Sequence, residues 1–236
     1  MAAETWKWAM DSAENKPELR LEGAIASESW WGDEVTPKKF RDDLAKKGGG
    51  RDIVLWINSP GGDIYAGSAM YTALKEYSGH IEGKIDGIAF SAASVVAMAA
   101  DELSMAPTAT MMIHNPWTFA IGDAREMEHT AAYLKEVADG VIAAYVSKTG
   151  IPPEEIQGMM DEETYMSANK AVELGFADKV LYGQGGGNQS PSYSFGMKAV
   201  FNLARQPLAL QGGADAEQEE RQRILAENRE FIENLG

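Results

Sequence analysis

The sequence predicts an α/β fold built on a largely parallel sheet, and three observations carry that expectation. Short β-type runs alternate with longer helical patterns from Leu21 to Lys179, as strand–helix–strand units do. The first strong run ends at Asn58-Ser-Pro-Gly-Gly62, a turn signal. Two later runs end at Phe90-Ser91 and at His114. In parallel sheets, ligand sites gather at such carboxyl ends of strands.

Arg51-Asp-Ile-Val-Leu-Trp-Ile57 reads as a compact buried strand, and Asp63 as the N-cap of a helix reaching about Tyr77. A second strand, about Ile81 to Ile88, leads through Phe90 into a helix of small residues, Ser91 to Ala100. The third run is Thr110-Met-Met-Ile113. A long amphipathic helix is expected from about Asp123 to Lys148, opened by the capping-box spacing of Asp123 and Glu126. Met127, Leu134, Val137, Val141, Ile142 and Tyr145 form its apolar stripe, and its length suggests contact with another subunit. Pro152-Pro153 open a short helix, Ser167 caps another that Gly175 closes, and a last strand is expected over Asp178 to Tyr182.

Composition sets the outer limits. The 236 residues carry 36 acidic and 21 basic side chains, a net charge of −15, which disfavours nucleic acid and anionic membrane as partners. There is no cysteine, so disulfides, thiolate metal sites and thiol catalysis are excluded. Met1 to Leu21 lacks the apolar core of a signal peptide. The most apolar stretch, Ile85 to Ala100, is interrupted by Asp86 and too short to span a bilayer. A soluble, cytoplasmic protein is expected. The expected organisation is an N-terminal segment (1–20), a catalytic domain (21–182), a Gly/Ser/Gln-rich linker without acids (183–213) and a charged C-terminal helix (214–236). Residues 183–236 hold 7 acids and 5 bases, so −13 of the −15 sits on the rest of the chain.

The chemistry-bearing residues favour nucleophilic catalysis. No glycine cluster continues into a P-loop pattern. The three histidines (His80, His114, His129) lack metal-ligand spacing, and the acids form no calcium loop; neither metal nor cofactor is expected. Ser91, in Gly87-Ile-Ala-Phe-Ser91, sits where a strand turns into a helix, a place that exposes a nucleophile beside helix N–H donors. Gly61-Gly62 follow another strand end and can offer backbone N–H groups to an oxyanion. His114 follows a third and can act as the base. Singly, each has a bland reading: a packing serine, a turn, a structural histidine. Together at three strand ends they are poorly explained by packing. Ser94 is expected to pack within its helix, His129 to be exposed, His80 to lack a partner, and Trp30, Trp31 and Trp117 to pack in the core or between subunits, with the lining of a peptide groove as the alternative.

Four blocks carry a family resemblance: Ile57-Asn-Ser-Pro-Gly-Gly62, Gly87-Ile-Ala-Phe-Ser91, Met112-Ile-His-Asn-Pro116 and Ser167-Ala-Asn-Lys-Ala-Val-Glu-Leu-Gly-Phe-Ala-Asp178. In order and spacing they resemble the proteolytic subunit of the Clp protease family over roughly Leu21 to Tyr182. The resemblance is nearest to the Clp-related proteases of phages and prophages that act in head maturation, on the residues after Ser91 and on Asn115-Pro-Trp117. It implies a ClpP/crotonase-like fold of repeated β-β-α units. It also implies Ser91 as nucleophile, His114 as general base, and the N–H groups of Gly62 and Ala92 as oxyanion hole. The family's third member is an Asp; here Glu163 stands at that position, with Asp161 in reserve. The implied partners are a polypeptide substrate, further copies in a homo-oligomeric ring, a phage scaffold or capsid protein, and an unfoldase ATPase. The family's unfoldase-contacting segment is not recognisable in Met1 to Leu21, which leaves ATPase dependence open. Two other classes remain: a crotonase-like acyl-CoA enzyme, which needs no Ser–His pair, and a non-catalytic capsid assembly or scaffold protein acting through its C-terminal helix.

Overall fold

A computed structural model describes residues 6–10, 16–27 and 36–182. The chain divides into two units, Met1–Gly187 and Asn188–Gly236. The expected linker and C-terminal helix, together with Trp30 and Trp31, lie outside the described residues.

Among the described residues, eight strands and six α-helices follow in the order β1 (Trp6–Met10), β2 (Pro17–Glu22), α1 (Pro37–Asp43), β3 (Ile53–Ser59), α2 (Ile64–Lys75), β4 (Ile81–Phe90), α3 (Ala92–Ala97), β5 (Glu102–Met105), β6 (Thr110–Ile113), α4 (Ala124–Thr149), α5 (Pro153–Asp161), β7 (Thr164–Ser167), α6 (Ala168–Glu173) and β8 (Lys179–Val180). One sheet runs in the order β1-β2-β3-β4-β5-β8, with β6 branching from β4 and β7 beside β6; its pairs are parallel except β1 with β2 and β6 with β7. This is the mixed α/β architecture with a mostly parallel sheet that the sequence predicts. β2 begins at Pro17 and so crosses the expected boundary at residue 21, and the last strand spans two residues rather than five.

Side-chain alternation explains why one face of the sheet is covered. Leu19 and Leu21 of β2, Ile53, Leu55 and Ile57 of β3, and Ile81 and Ile85 of β4 are buried in the core with Met70 and Leu74 of α2. Several intervening residues of β2 and β4 carry charge on the other face, where Arg20 and Lys84 both lie over the Trp56 ring. Gly67 lets α2 approach α3 closely: a Cβ there would meet the Ala92 Cβ at 3.0 Å.

The fork in β4 positions the site. Its first half, Glu82–Ile85, pairs with β5, whereas its last residues, Ile88–Phe90, pair with β6. A register irregularity between Ile57 and Ser59 accommodates the change on the β3 side. The carboxyl ends of three neighbouring parallel strands, β3, β4 and β6, thereby converge. β7 runs antiparallel along β6, pairing Ile113 with Thr164. One step further along that ladder, His114 and Glu163 become neighbours.

α4 is capped as expected: Asp123 accepts from the Glu126 N–H, and the Glu126 carboxylate accepts from the Asp123 N–H. Only its second half is buried, through Ala138, Val141, Ile142, Ala144 and Tyr145. Met127 and Tyr133, in the first half, are exposed, as are Trp117, Phe119 and Ile121 just before it. Trp117 therefore lies outside the core, which leaves the other expected places, a subunit contact or a peptide groove; it makes an edge contact with Phe119. Among the described residues no helix is long and apolar enough to cross a membrane.

Candidate active site

The site begins with the β3–α2 turn. Ser59, fully buried, donates to the Gly23 carbonyl at 2.6 Å and accepts from the Gly61 N–H at 3.1 Å. Gly61 and Gly62 have φ of 86° and 144°, a region that disfavours side chains. A Cβ on Gly61 would lie 2.4 Å from the Phe90 carbonyl oxygen and 2.9 Å from the Ser91 Cβ; one on Gly62 would lie 2.1 Å from the Ile25 carbonyl oxygen. The glycine pair thus wedges between the strand-end bridge at Ile25 and the turn that carries Ser91. Among the described residues, neither the Gly62 nor the Ala92 N–H donates to a backbone or side-chain acceptor.

Ser91 follows β4 and opens α3 with φ 54° and ψ −125°, a conformation that a non-glycine residue holds only when its surroundings impose it. Hydrogen bonds to its backbone hold it there. Its N–H donates to the Met112 carbonyl of β6 at 3.0 Å, and its carbonyl accepts from the Ser94 N–H at 2.9 Å. The Ser94 hydroxyl donates to the same carbonyl at 2.6 Å. Ser94 also lies 2.8 Å from the hydroxyl of Tyr145. With its one proton given to Ser91, Ser94 must accept from Tyr145. Ser94 packs in its helix as expected, but as a polar tie from the turn to α4.

His114, half-buried, places Nε2 2.8 Å from the Ser91 Oγ. Burial pushes its imidazole pKa below the ordinary value, and the negative charge of Glu163 works against that shift. Glu163 sits in the left-handed region at φ 51°, ending α5 through its N–H to the Met160 carbonyl. Its carboxylate accepts a hydrogen bond from the Tyr165 hydroxyl. Among the described residues, no hydrogen bond joins it to His114.

Asp161 is not brought to His114. Exposed, it accepts from Asn115 Nδ2 at 2.8 Å and Gln157 Nε2 at 2.6 Å, and these hydrogen bonds hold its pKa below the usual carboxylate range. It ties the segment after His114 to α5. His80, expected to lack a partner, lies 3.5 Å from the Asp101 carboxylate. His129 is exposed. Asp178, which closes the last motif block, is structural: it accepts from the Leu103 N–H at 2.6 Å and from Lys148 at 2.8 Å. Among the described residues no cluster of three His, Asp or Glu side chains could hold a metal ion.

A cavity of about 600 Å³ opens beside the Ser91–His114 pair, with Gly62, Trp117, Val137 and Val141 in its lining. Tyr65 of α2 and Tyr133 of α4 also line it, their hydroxyls 2.6 Å apart. The arrangement can move a proton from a serine hydroxyl to an imidazole at the mouth of an apolar cleft, beside two N–H groups that have no acceptor among the described residues. Ser59, Tyr145 and Tyr165 escaped the sequence reading. Ser59 was visible only as part of a turn, Tyr145 only as part of an apolar stripe, and nothing local marks Tyr165.

Comparison with known proteins agrees with this geometry. The family model for Clp protease matches residues 43–184, more than half of the chain. An ATP-dependent Clp protease proteolytic subunit of Bacteroides fragilis is 34% identical over 134 residues, 56% of this chain and 65% of that protein. The ATP-dependent Clp protease proteolytic subunit 1 of Chlamydia muridarum is 34% identical over 137 residues, 56% of this chain and 71% of that protein. A Porphyromonas gingivalis proteolytic subunit is 31% identical over 134 residues and is matched over 60% of its length. The matched segment thus spans a little under two thirds of the Bacteroides and Porphyromonas relatives. With the fold, the strand-end convergence and these matches in agreement, the chain belongs to the Clp protease family.

Proposed function

We propose that the chain hydrolyses polypeptides through an acyl-enzyme, with Ser91 as nucleophile, His114 as base and Glu163 as the acid of the triad. The observation that carries this reading is the 2.8 Å approach of His114 Nε2 to the Oγ of a serine held in a strained strand-to-helix turn. A crotonase-like acyl-CoA enzyme needs no such pair, so the pair favours the peptidase.

The steps follow from the geometry. Ser91 Oγ attacks the scissile carbonyl carbon while its proton passes to His114 Nε2. The resulting oxyanion is met by the N–H groups of Gly62 and Ala92, each worth ~2.7–4 kcal/mol in comparable sites. The tetrahedral centre collapses, the C–N bond breaks, and the imidazolium gives its proton to the leaving amine. Water then attacks the acyl carbon, its proton going to His114, and the serine leaves with that proton restored. Glu163 stabilises the imidazolium by its charge. The acidic catalytic domain favours basic or neutral substrate segments.

The peptidase domain in this reading is residues 21–182, working in a bacterial or phage-infected host cytoplasm. The exposed apolar residues of the first half of α4 and of the segment before it support assembly into a homo-oligomeric ring. The relatives are named as ATP-dependent, which supports an unfoldase ATPase as a further partner in this reading. The narrower role, maturation of a phage head by cutting a scaffold or capsid protein, is supported by Asn115-Pro-Trp117 and the residues after Ser91. The deciding experiment is labelling of the full-length protein with a fluorophosphonate, followed by intact mass. Wild type should gain one adduct and Ser91→Ala none; an adduct on Ser91→Ala would overturn the assignment. Cleavage of a co-expressed capsid or scaffold protein by wild type but not Ser91→Ala would test the narrower role.

A further inference from the structure

The acid of the triad has a feature that neither strand pairing nor the Ser–His pair requires. Glu has one more rotatable bond than Asp, and Glu163 stands at a left-handed turn, outside the β6–β7 ladder that fixes its neighbours. A side chain so placed loses rotamer freedom only if something holds its end. Tyr165 does so. It lies two residues further on, paired with Met112 across the ladder, and its hydroxyl donates to Glu163 Oε1. The Tyr165 ring is itself braced edge-on by Phe90, with ring centroids 5.9 Å apart and planes at 83°. Phe90 immediately precedes Ser91 and pairs with Met112. One cross-strand row, Phe90–Met112–Tyr165, therefore links the turn that carries the nucleophile to the holder of the acid.

We propose that Tyr165 is a positioning residue for the triad acid: its hydroxyl fixes one carboxylate oxygen of Glu163 and leaves the other for the His114 ring. The proposal rests on the Ser91–His114–Glu163 reading. It makes the Glu workable where a shorter carboxylate would need no such holder. The hydroxyl, not the ring, performs the task, so Tyr165→Phe keeps the Phe90 contact while removing it.

The test follows the second-order rate of fluorophosphonate labelling across pH for the full-length wild type, Tyr165→Phe, Glu163→Gln, their double variant and Ser91→Ala. Tyr165→Phe should slow labelling about tenfold, as expected for losing one hydrogen bond to a charged group. Glu163→Gln should slow it at least as much. Glu163→Gln should move the acid limb to lower pH, because it removes the negative charge beside the imidazole. Tyr165→Phe should move it the same way by less, because the carboxylate keeps its charge but is no longer held facing the ring. In the Glu163→Gln background, Tyr165→Phe should have no further effect. Three results would overturn the proposal: Tyr165→Phe with wild-type rate and pH profile, Tyr165→Phe faster than wild type, or an equal slowing with and without Glu163. Labelling of Ser91→Ala would instead sink the nucleophile, and Glu163→Gln at the wild-type rate would sink the acid itself.

Discussion

Replacing Ser94 by Ala removes a hydroxyl that does no chemistry yet should be costly, and the cost belongs to its partner. The Ser91 carbonyl survives the loss, since it still accepts from the N–H groups of Ser94 and Val95 at 2.9 and 3.3 Å. Tyr145 does not. Its ring is 1% exposed, burial raises its pKa strongly, and Ser94 is its side-chain hydrogen-bond partner. A buried hydroxyl left unsatisfied costs about 1–3 kcal/mol. At roughly 2–4 °C per kcal/mol for a domain of this size, Tm should fall by about 2–12 °C. Tyr145→Phe removes the donor but leaves the Ser94-to-Ser91 bond, and should cost less. The double variant leaves no orphaned group and should be more stable than Ser94→Ala alone. Thermal unfolding of the four proteins, followed by circular dichroism at one scan rate, measures the cycle. Additive losses, with the double variant the least stable, would refute the reasoning.

Three further outcomes are expected. Gly61→Ala drives a Cβ into the Phe90 carbonyl oxygen at 2.4 Å and against Ser91; fluorophosphonate labelling should fall at least about a hundredfold, the scale of losing one oxyanion donor. Burial lowers the His114 pKa, so its base form persists to lower pH, and the acid limb of labelling should have its midpoint below the ordinary imidazole value of about 6.5. Asp178→Asn weakens the acceptor of Lys148 and of the Leu103 N–H. It should destabilise the domain by roughly 1 kcal/mol, read as a lower urea midpoint. For Asp178, burial raises the carboxyl pKa, but the hydrogen bonds from Lys148 and Leu103 and the charges of Lys148 and Lys179 lower it further, for a net depression. Its contribution is therefore present above the unfolded carboxyl pKa and lost as pH falls through the depressed one.

The parts of the fold legible in the sequence are those announced by local chemistry. Asp63, Asp123 and Ser167 mark helix starts because a short polar side chain can satisfy free N–H groups, and all three do so. The glycine pair marks a turn because its φ values are open to few other residues. β5 and β7, four residues each, carry no such punctuation and become visible only through their partners. The apolar stripe on α4 was legible as periodicity, but nothing local says that its first half faces away from the core. For the site, Ser91, His114 and Gly62 each follow a strand, so a reading of strand ends finds them. The choice between Glu163 and Asp161 depends on the β6–β7 register and on Asn115 and Gln157 claiming Asp161. The tie between Tyr145 and Ser94 spans 51 residues of sequence, and side-chain pairs at that separation leave no local trace.

The antiparallel pairing of β7 with β6 also bears on quality control during folding. Side chains alternate along a strand, so a slip of one residue would carry Thr164 or Glu162 to the place of Glu163 and turn Tyr165 to the other face. Under the proposed triad, a molecule paired one residue out of step lacks its acid and is slowed; it gains no new cutting activity. For the proposed peptidase this is a safe mode of failure, because the full hydrolytic rate is reserved for chains whose β6–β7 ladder has closed in the correct frame.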